Sequence, residues 1–320
     1  MTTRRQHYVW RKYLEPWTTL KGRARQIWCL RRDTRAPINP DIKNVAVERD
    51  FYRLKDLQPS DVEFVRTFAI SPNTNALARR TNERWIAMFD GIFRLHHTAW
   101  SLARANPQIS VELDREMIEF QEKDNARIEE RAVAHLAALQ AGDVSFFDDE
   151  TEAMKFSYFL AHQYFRTKAM RDRIRDTFAA QPDKDRFDRT WPLLRYTFAT
   201  NIGCEIFRLR RSVKLQVITA APGMAFITSD QPVINTYGAF VPARTAIEEI
   251  ELLYPVSPVR AAVLSGHLVY RDMHGRAAEP FRMHYLNQAI EQIAYEQLFA
   301  LSEDALQALM PYFCLRSPRM

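Results

Sequence analysis

The spacing of the apolar residues changes twice along this 320-residue chain, and this double change limits the folds that it can adopt. Before Ser60 the apolar residues stand in short runs of the kind that favour strands. From Ser60 to about Ser212 they recur every three or four residues, which is typical of amphipathic helices. After Ser212 a strand-like pattern returns, in which apolar and polar residues alternate. Strands and helices that are grouped in this way, instead of alternating, predict an α+β fold.

Local signals place individual elements inside these regions. Aromatic and β-branched residues predict early strands over residues 26–30 and 45–54. Ser60 and Glu63 have the spacing of a capping box, which predicts that the first long helical region begins at Ser60. Further helices are predicted over residues 111–140, 149–179, 183–210 and 285–294, with a last one from about Ser302. Further strands are predicted over residues 213–220, 224–228, 250–254 and 261–264, the first two joined by the turn Pro222-Gly223.

The order of these elements predicts how the chain is organised. We expect one structural unit over residues 1–320, because no repeat, linker or low-complexity tract divides the sequence. Its parts are a β-rich segment over residues 1–58, a helical region over 59–211 and a β-rich region with C-terminal helices over 212–320. We expect a mostly antiparallel sheet formed by the C-terminal and the N-terminal strands, so that the two ends of the chain pack together.

The composition indicates the class of protein and its setting. The net charge is +6, and arginine greatly outnumbers lysine. Because the guanidinium group suits phosphate, nucleic acid or a nucleotide is a possible partner, although ordinary surface salt bridges explain the same composition. The three cysteines lack metal-site or disulfide spacing, which indicates a reducing compartment. No signal peptide and no membrane-length apolar run is visible. We therefore expect a soluble, cytoplasmic protein with no membrane partner.

The first candidate for chemistry is the segment from Phe226 to Val233. An apolar strand ends there in Thr-Ser-Asp, and Pro232 prevents the strand ladder from continuing. This predicts that Ser229 and Asp230 stand at the rim of a sheet, where sites are often built. Asp230 could serve as a base, as a metal ligand or as an anchor for an arginine. The alternative is a turn in which both side chains satisfy nearby backbone donors.

Other polar residues are candidates on separate helices. Gln163 and Arg166 are three residues apart and share a helix face, so they could hold a phosphate or an amide together. The alternative is an exposed polar face with salt bridges. Glu129 could supply a carboxylate to a site, or could be a solvated residue of a highly charged helix.

The two ends of the chain add one candidate each. His7 could act as a general base or pack in the core, and Asn287 could cap a helix or reach a site. No HExxH, phosphate-binding loop, dinucleotide-binding or nucleophile-elbow motif is present. The sequence therefore leaves the cofactor open: a divalent metal is possible, but no motif predicts one.

Several short motifs occur in a fixed order along the chain. They are His7-Tyr8-Val9, the run from Lys43 to Tyr52, Ile128-Glu129, the run from Gln163 to Thr167, the run from Phe226 to Val233, and Leu286-Asn287. Together they resemble the family called domain of unknown function 4238. Trp10 stands where that family usually has proline, and Gln231 where it usually has asparagine.

The resemblance implies that the candidate residues have a common purpose. His7, Glu129, Gln163, Arg166, Asp230 and Asn287 all stand at motif positions, so we expect them to share one pocket centred on Asp230. Some members of the family occur among prokaryotic anti-phage defence genes, which makes a defence role plausible.

Three hypotheses follow. The first is a nuclease-like or other phosphate-directed hydrolase, in which His7, Asp230 and Glu129 are catalytic and Gln163, Arg166, Asn287 and Ser229 bind the substrate. The second is a non-catalytic sensor for a nucleotide, nucleic acid or phage protein. The third is a buried hydrogen-bond network that only joins the two ends of the chain.

Overall fold

The distribution of strands and helices agrees with the α+β prediction. The computed structural model describes residues 4–103, 107–178, 184–242, 245, 247, 249–270 and 272–314. Strands occur near both ends of the chain and long helices lie between them, and all of the strand pairs in the sheets are antiparallel. Within the described ranges, every helix is too short or too polar to cross a membrane.

The N-terminal segment consists of short strands and one helical turn. They are β1 (Arg5–His7), α1 (Arg11–Leu14), β2 (Thr18–Lys21), β3 (Ala24–Arg31), β4 (Pro37–Ile38) and β5 (Val47–Arg49). The strand predicted over residues 26–30 is confirmed as part of β3. The strand predicted over residues 45–54 is much shorter, because Ala46 and Asp50 have positive φ angles of 46° and 55° and so interrupt the extended backbone on both sides of β5.

The middle of the chain is helical, as predicted. Its helices are α2 (Pro59–Val65), which continues as a π-helical turn over Arg66–Ile70, α3 (Ala76–Ala103), α4 (Pro107–Ala141), α5 (Glu150–Phe165), α6 (Lys168–Thr177) and α7 (Lys184–Leu209). The predicted cap at Ser60 is wrong. Helix α2 begins one residue earlier, after Gln58, and the Asp61 carboxylate accepts the Gln58 backbone N–H at 3.1 Å. Proline at the first helical position suits this start.

The single helix predicted over residues 149–179 is two helices. Helix α5 ends at Phe165, and Thr167 begins α6 by accepting the backbone N–H of Met170 on its hydroxyl at 3.3 Å. Its predicted end, Ala179, and the predicted start of the next helix, Asp183, lie outside the described residues. The break matters for the site because it places Arg166 in the corner between two helices, with its side chain directed toward the N-terminal segment.

The C-terminal region adds the remaining elements. They are β6 (Lys214–Thr219), β7 (Thr228–Ser229), β8 (Ile234–Asn235), β9 (Glu251–Ser257), β10 (Arg260–Ser265), α8 (Pro280–Ile293), β11 (Gln297–Ala300), α9 (Glu303–Gln307) and α10 (Met310–Phe313). The predicted pairing of residues 213–220 with 224–228 is wrong. Strand β6 pairs with β10 in a sheet of order β6-β10-β9-β8. Of the predicted partner over residues 224–228, only Thr228 is in a strand, and that strand, β7, pairs with β11 in the other sheet.

The two ends of the chain meet in a shared antiparallel sheet of order β2-β3-β11-β7. Strand β11 pairs with β3 from Gln297 opposite Arg31 to Ala300 opposite Trp28. Aromatic side chains extend the contact, since the Trp17 indole N–H donates to the Phe226 carbonyl at 2.8 Å. The expected packing of the N-terminal segment on the C-terminal strands is therefore confirmed. The division into one unit over residues 1–320 stays a prediction.

Candidate functional site

An open cleft of about 470 Å³ lies between the N-terminal segment, α4 and the end of α5. We call it the His7 cleft. Three predicted site residues line it, namely His7, Glu129 and Arg166, together with Trp10, Arg11, Lys12, Glu15, Arg25, Ile42, Tyr52, Glu122, Asn125 and Ala126. Residues from the first and the middle third of the sequence therefore meet at one place.

Local structure explains why these residues face the same space. Strand β1 pairs with β5 so that His7 stands opposite Val47, which fixes the backbone of the histidine at one wall. On the opposite wall, Asn125 and Glu129 follow Glu122 by three and seven residues along α4, a spacing that puts all three on one face of the helix. The basic residues Arg11 and Lys12 are exposed at the start of α1.

Arg166 joins these walls to each other. The residue is 3% exposed. The guanidinium donates Nε to the Tyr52 hydroxyl at 3.1 Å, Nη2 to the His7 carbonyl at 3.0 Å, and Nη1 to the Glu129 carboxylate. Burial alone lowers the pKa of Arg166, but Tyr52 and Glu129 outweigh it and raise the pKa above the usual arginine value. Arg166 is therefore a permanent cation, and each of its three nitrogens already has a partner.

The His7 imidazole is neutral at physiological pH. Burial, followed by the nearby Arg11 charge, lowers the pKa of His7 to about 4, against the opposing effect of a hydrogen bond with the Lys43 backbone. Its Nε2 atom is buried and has no hydrogen-bond partner among the described residues. A neutral imidazole with a free ring nitrogen in a cleft can accept a proton from a bound molecule.

Two residues on α4 present further polar atoms of the same kind. Burial raises the pKa of Glu122, against the opposing effects of Gln6 and Arg166. Its Oε2 is buried and, within the described part of the chain, unpaired. Asn125, which is 2% exposed, accepts Arg195 Nη2 on Oδ1 at 3.0 Å, and its Nδ2 is likewise buried without a partner in the described ranges. Buried polar atoms are rarely left unpaired, so these atoms indicate a place for a ligand.

The sequence did not single out Glu122 or Asn125. The available signal was their spacing from Glu129, which places three polar side chains on one face of α4. That signal is weak in a helix rich in charged residues, because most of its polar side chains are solvated. Only the position of the N-terminal segment above this face distinguishes them.

Asp230 and Ser229 lie together, but not in the His7 cleft. The Asp230 carboxylate is 1% exposed and accepts the backbone N–H groups of Tyr295, Glu296 and Gln297 at 2.9, 2.7 and 3.1 Å. Burial raises the pKa of Asp230 to about 6, although the three N–H donors lower it. Ser229 Oγ donates to the Gln231 carbonyl and accepts the Gln231 backbone N–H. This geometry anchors β11 and forms a local turn, as in the alternative considered above.

The last two candidates are separate from both groups. Gln163 is 1% exposed inside α5 and does not line the His7 cleft, and its Nε2 is buried without a partner among the described residues. Asn287 donates to the Ala225 carbonyl at 2.9 Å and accepts the Ile227 N–H at 3.2 Å. It lines a different cavity of about 590 Å³. The candidates therefore do not share one pocket centred on Asp230, and their roles stay predictions.

Metal-binding residues are not clustered in the described part of the chain. No group of three or more histidine, cysteine, aspartate or glutamate side chains within those residues has an arrangement that could hold a metal ion. The three cysteines are free thiols, with Cys29 and Cys204 buried and Cys314 partly so.

Comparison with known proteins identifies a family but no activity. The family model described as "Protein of unknown function (DUF4238)" matches residues 5–304, which is nearly the whole chain. The chain therefore belongs to this family, as the ordered motifs implied. No curated protein and no solved structure matches it.

Proposed function

We propose that this member of the DUF4238 family binds a phosphate-containing substrate in the His7 cleft and hydrolyses it in a nuclease-like reaction. One observation carries the proposal: a neutral imidazole with a free, buried Nε2 stands beside basic side chains in an open cleft. The cations Arg11 and Lys12 suit a phosphate, and the imidazole suits the activation of water.

In the reaction that we propose, His7 is the general base. A water molecule attacks phosphorus while His7 Nε2 takes one of its protons, a new P–O bond forms and the ester P–O bond breaks. The leaving oxygen takes a proton from solvent, which reaches the open side of the cleft. A bound phosphate offsets the nearby positive charge and so raises the pKa of His7 from about 4, which makes the imidazole a stronger base when substrate is present.

Arg166 and Glu129 have a positioning role in this proposal. Arg166 donates to the His7 carbonyl and is paired with Glu129, so this ion pair fixes the backbone that carries the base. The phosphate is held instead by Arg11 and Lys12, whose side chains are exposed. As the substrate class we propose nucleic acid or a nucleotide, and as the cellular setting anti-phage defence in the cytoplasm.

The same site supports a second candidate, which is binding without turnover. The observation that favours it is the engagement of Arg166, because each of its three nitrogens already donates one hydrogen bond, to Tyr52, to Glu129 and to the His7 carbonyl. A guanidinium held in this way has fewer N–H groups left to stabilise the charge of a transition state. In this case the cleft would sense a nucleotide or nucleic acid by a change of shape.

One experiment separates these candidates. Purified protein is incubated with RNA, DNA and nucleotides, with and without Mg²⁺, and both turnover and saturable binding are measured. We expect turnover that falls about 10²- to 10⁴-fold in His7→Ala, the usual contribution of a general base. Arg166 binds the backbone carbonyl of His7 and not its side chain, so the variant keeps that contact.

The matched control is His284→Ala, which removes an exposed histidine of α8. It should turn substrate over like the wild type. Saturable binding without turnover would support the sensor. If a folded His7→Ala protein kept full turnover, the proposed base would be wrong.

A further inference from the structure

We infer that the ligand of the His7 cleft is a nucleotide whose base is recognised at its hydrogen-bonding edge by Glu122 and Asn125. This inference rests on the proposed function and names the substrate class for it. Neither residue was a sequence candidate. Both line the cleft from α4, and each presents one buried polar atom without a partner among the described residues.

The orientation of the Asn125 amide is determined by its neighbour. Arg195 is 2% exposed and has only donors, so the atom of Asn125 that it contacts at 3.0 Å must be the carbonyl oxygen, Oδ1. Arg195 Nε also donates to Gln121 Oε1 at 2.8 Å, which holds the guanidinium in place. The Asn125 Nδ2 group is therefore left as a fixed donor, and it is the end of the amide that has no partner among the described residues.

Glu122 supplies the complementary acceptor. It precedes Asn125 by three residues, so the two side chains are neighbours on one face of α4. The pair offers one acceptor, Glu122 Oε2, beside one donor, Asn125 Nδ2. A ligand must present a donor and an acceptor side by side to satisfy both. Inorganic phosphate fits this pair poorly, because its negative charge is repelled by the Glu122 carboxylate. The edge of a nucleobase has the required pair.

The rest of the cleft fits the other parts of a nucleotide. Trp10 lines it, is partly exposed and offers an aromatic face, on which bases of any type stack. The cations Arg11 and Lys12 are exposed, whereas Asn125 is buried. This difference in depth suits a molecule that enters with its uncharged base first and keeps its phosphate at the basic rim.

The test is a set of calorimetric titrations of the full chain. The ligands are the four nucleoside 5′-monophosphates, ribose 5-phosphate and inorganic phosphate. We expect at least one monophosphate to bind about tenfold or more tightly than ribose 5-phosphate, since two otherwise unpaired groups become satisfied. Asn125→Asp keeps an oxygen for Arg195 and replaces the donor by an acceptor. It should weaken the binding of that monophosphate about tenfold or more and leave the affinity for ribose 5-phosphate unchanged.

Two further variants make the result decisive. Asn73→Asp makes the same chemical change in the loop before α3, where Asn73 Oδ1 accepts the Asn75 N–H, and it should bind like the wild type. Glu122→Leu removes the acceptor and gives an independent test if Asn125→Asp does not fold, since it should weaken the binding of the same monophosphate. Equal affinities for nucleotides and ribose 5-phosphate would overturn base recognition but leave the proposed function standing. No binding of any of these phosphates would overturn the inference, whereas the proposed function would be overturned only by a lack of turnover of RNA, DNA and nucleotides.

Discussion

The substitution Asp230→Asn tests whether burial raises the pKa of Asp230, the carboxylate that anchors β11. The quantity to compare is the free energy of unfolding of the variant and of the wild type at different pH values. The folded pKa of Asp230 is about 6, against 3.8 for the ordinary side chain. Folding therefore takes up a proton between these values. The stability that comes from this group is present in full below pH 3.8 and is lost as the pH rises through 6.

The size of the effect follows from these two pKa values. Between pH 5 and pH 7 the folded carboxyl releases most of a proton, whereas the unfolded one is already ionised. Integrating the difference gives a loss of about 1 kcal/mol in the wild type over this interval. Asparagine has nearly the same shape and does not titrate. The difference in unfolding free energy between wild type and Asp230→Asn should thus change by about 1 kcal/mol, in favour of the wild type at pH 5.

Urea unfolding, followed by tryptophan fluorescence at both pH values, measures this difference. Asp33→Asn is the matched control, because it makes the same chemical change at an exposed aspartate. If the difference for Asp230→Asn stayed constant, the three N–H groups of residues 295–297 would control the pKa, and the reasoning from burial would be refuted. A variant with unchanged stability but no activity would show instead that Asp230 is catalytic.

Three other predictions concern the cleft and the helices behind it. If His7 is the base, the acid limb of kcat/KM should lie near pH 4, well below the usual histidine pKa of 6.5, and a limb near 6.5 would contradict the assignment. Glu129→Gln should cost about 3–5 kcal/mol in urea unfolding, because it leaves the buried Arg166 charge uncompensated. Gly203→Ala should destabilise by about 1 kcal/mol, since the new methyl group would lie 2.9 Å from the Tyr158 backbone and the overpacking outweighs the gain in helix propensity. A more stable Gly203→Ala protein would contradict this last prediction.

The sequence was most informative about elements that have their own periodicity. The helical middle, β3, β9 and β10 follow from residue patterns that depend on local burial. The pairing of the strands could not be predicted from these patterns. Residues 224–228 have the sequence of a hairpin partner of β6, but β6 pairs with β10 instead. The missed strand β11 is only four residues long. Its position depends on the Asp230 carboxylate, which is a contact across 65 residues or more that no local pattern contains.

The candidate site was predictable only in part, for a similar reason. Residue type identified His7, Glu129 and Arg166, and the structure brings these three together. Residue type could not distinguish them from Asp230, because buried polar groups that hold a fold and those that bind a ligand use the same side chains. Asn125 was invisible in the sequence, since its importance comes from the way in which Arg195 orients its amide.

What separates the two kinds of polar residue is whether they line an open cavity with a hydrogen-bonding atom that has no partner among the described residues. Both oxygens of Asp230 have backbone donors, so this side chain offers nothing to a ligand while the fold is intact. His7 Nε2 and Asn125 Nδ2 are buried and unpaired within the described residues. Arg195 nevertheless fixes the orientation of the Asn125 amide, and burial keeps the His7 imidazole neutral. A folded chain tolerates such atoms only where something else satisfies them or where function requires them. The His7 cleft, and not the anchor at Asp230, is therefore where a ligand should be sought.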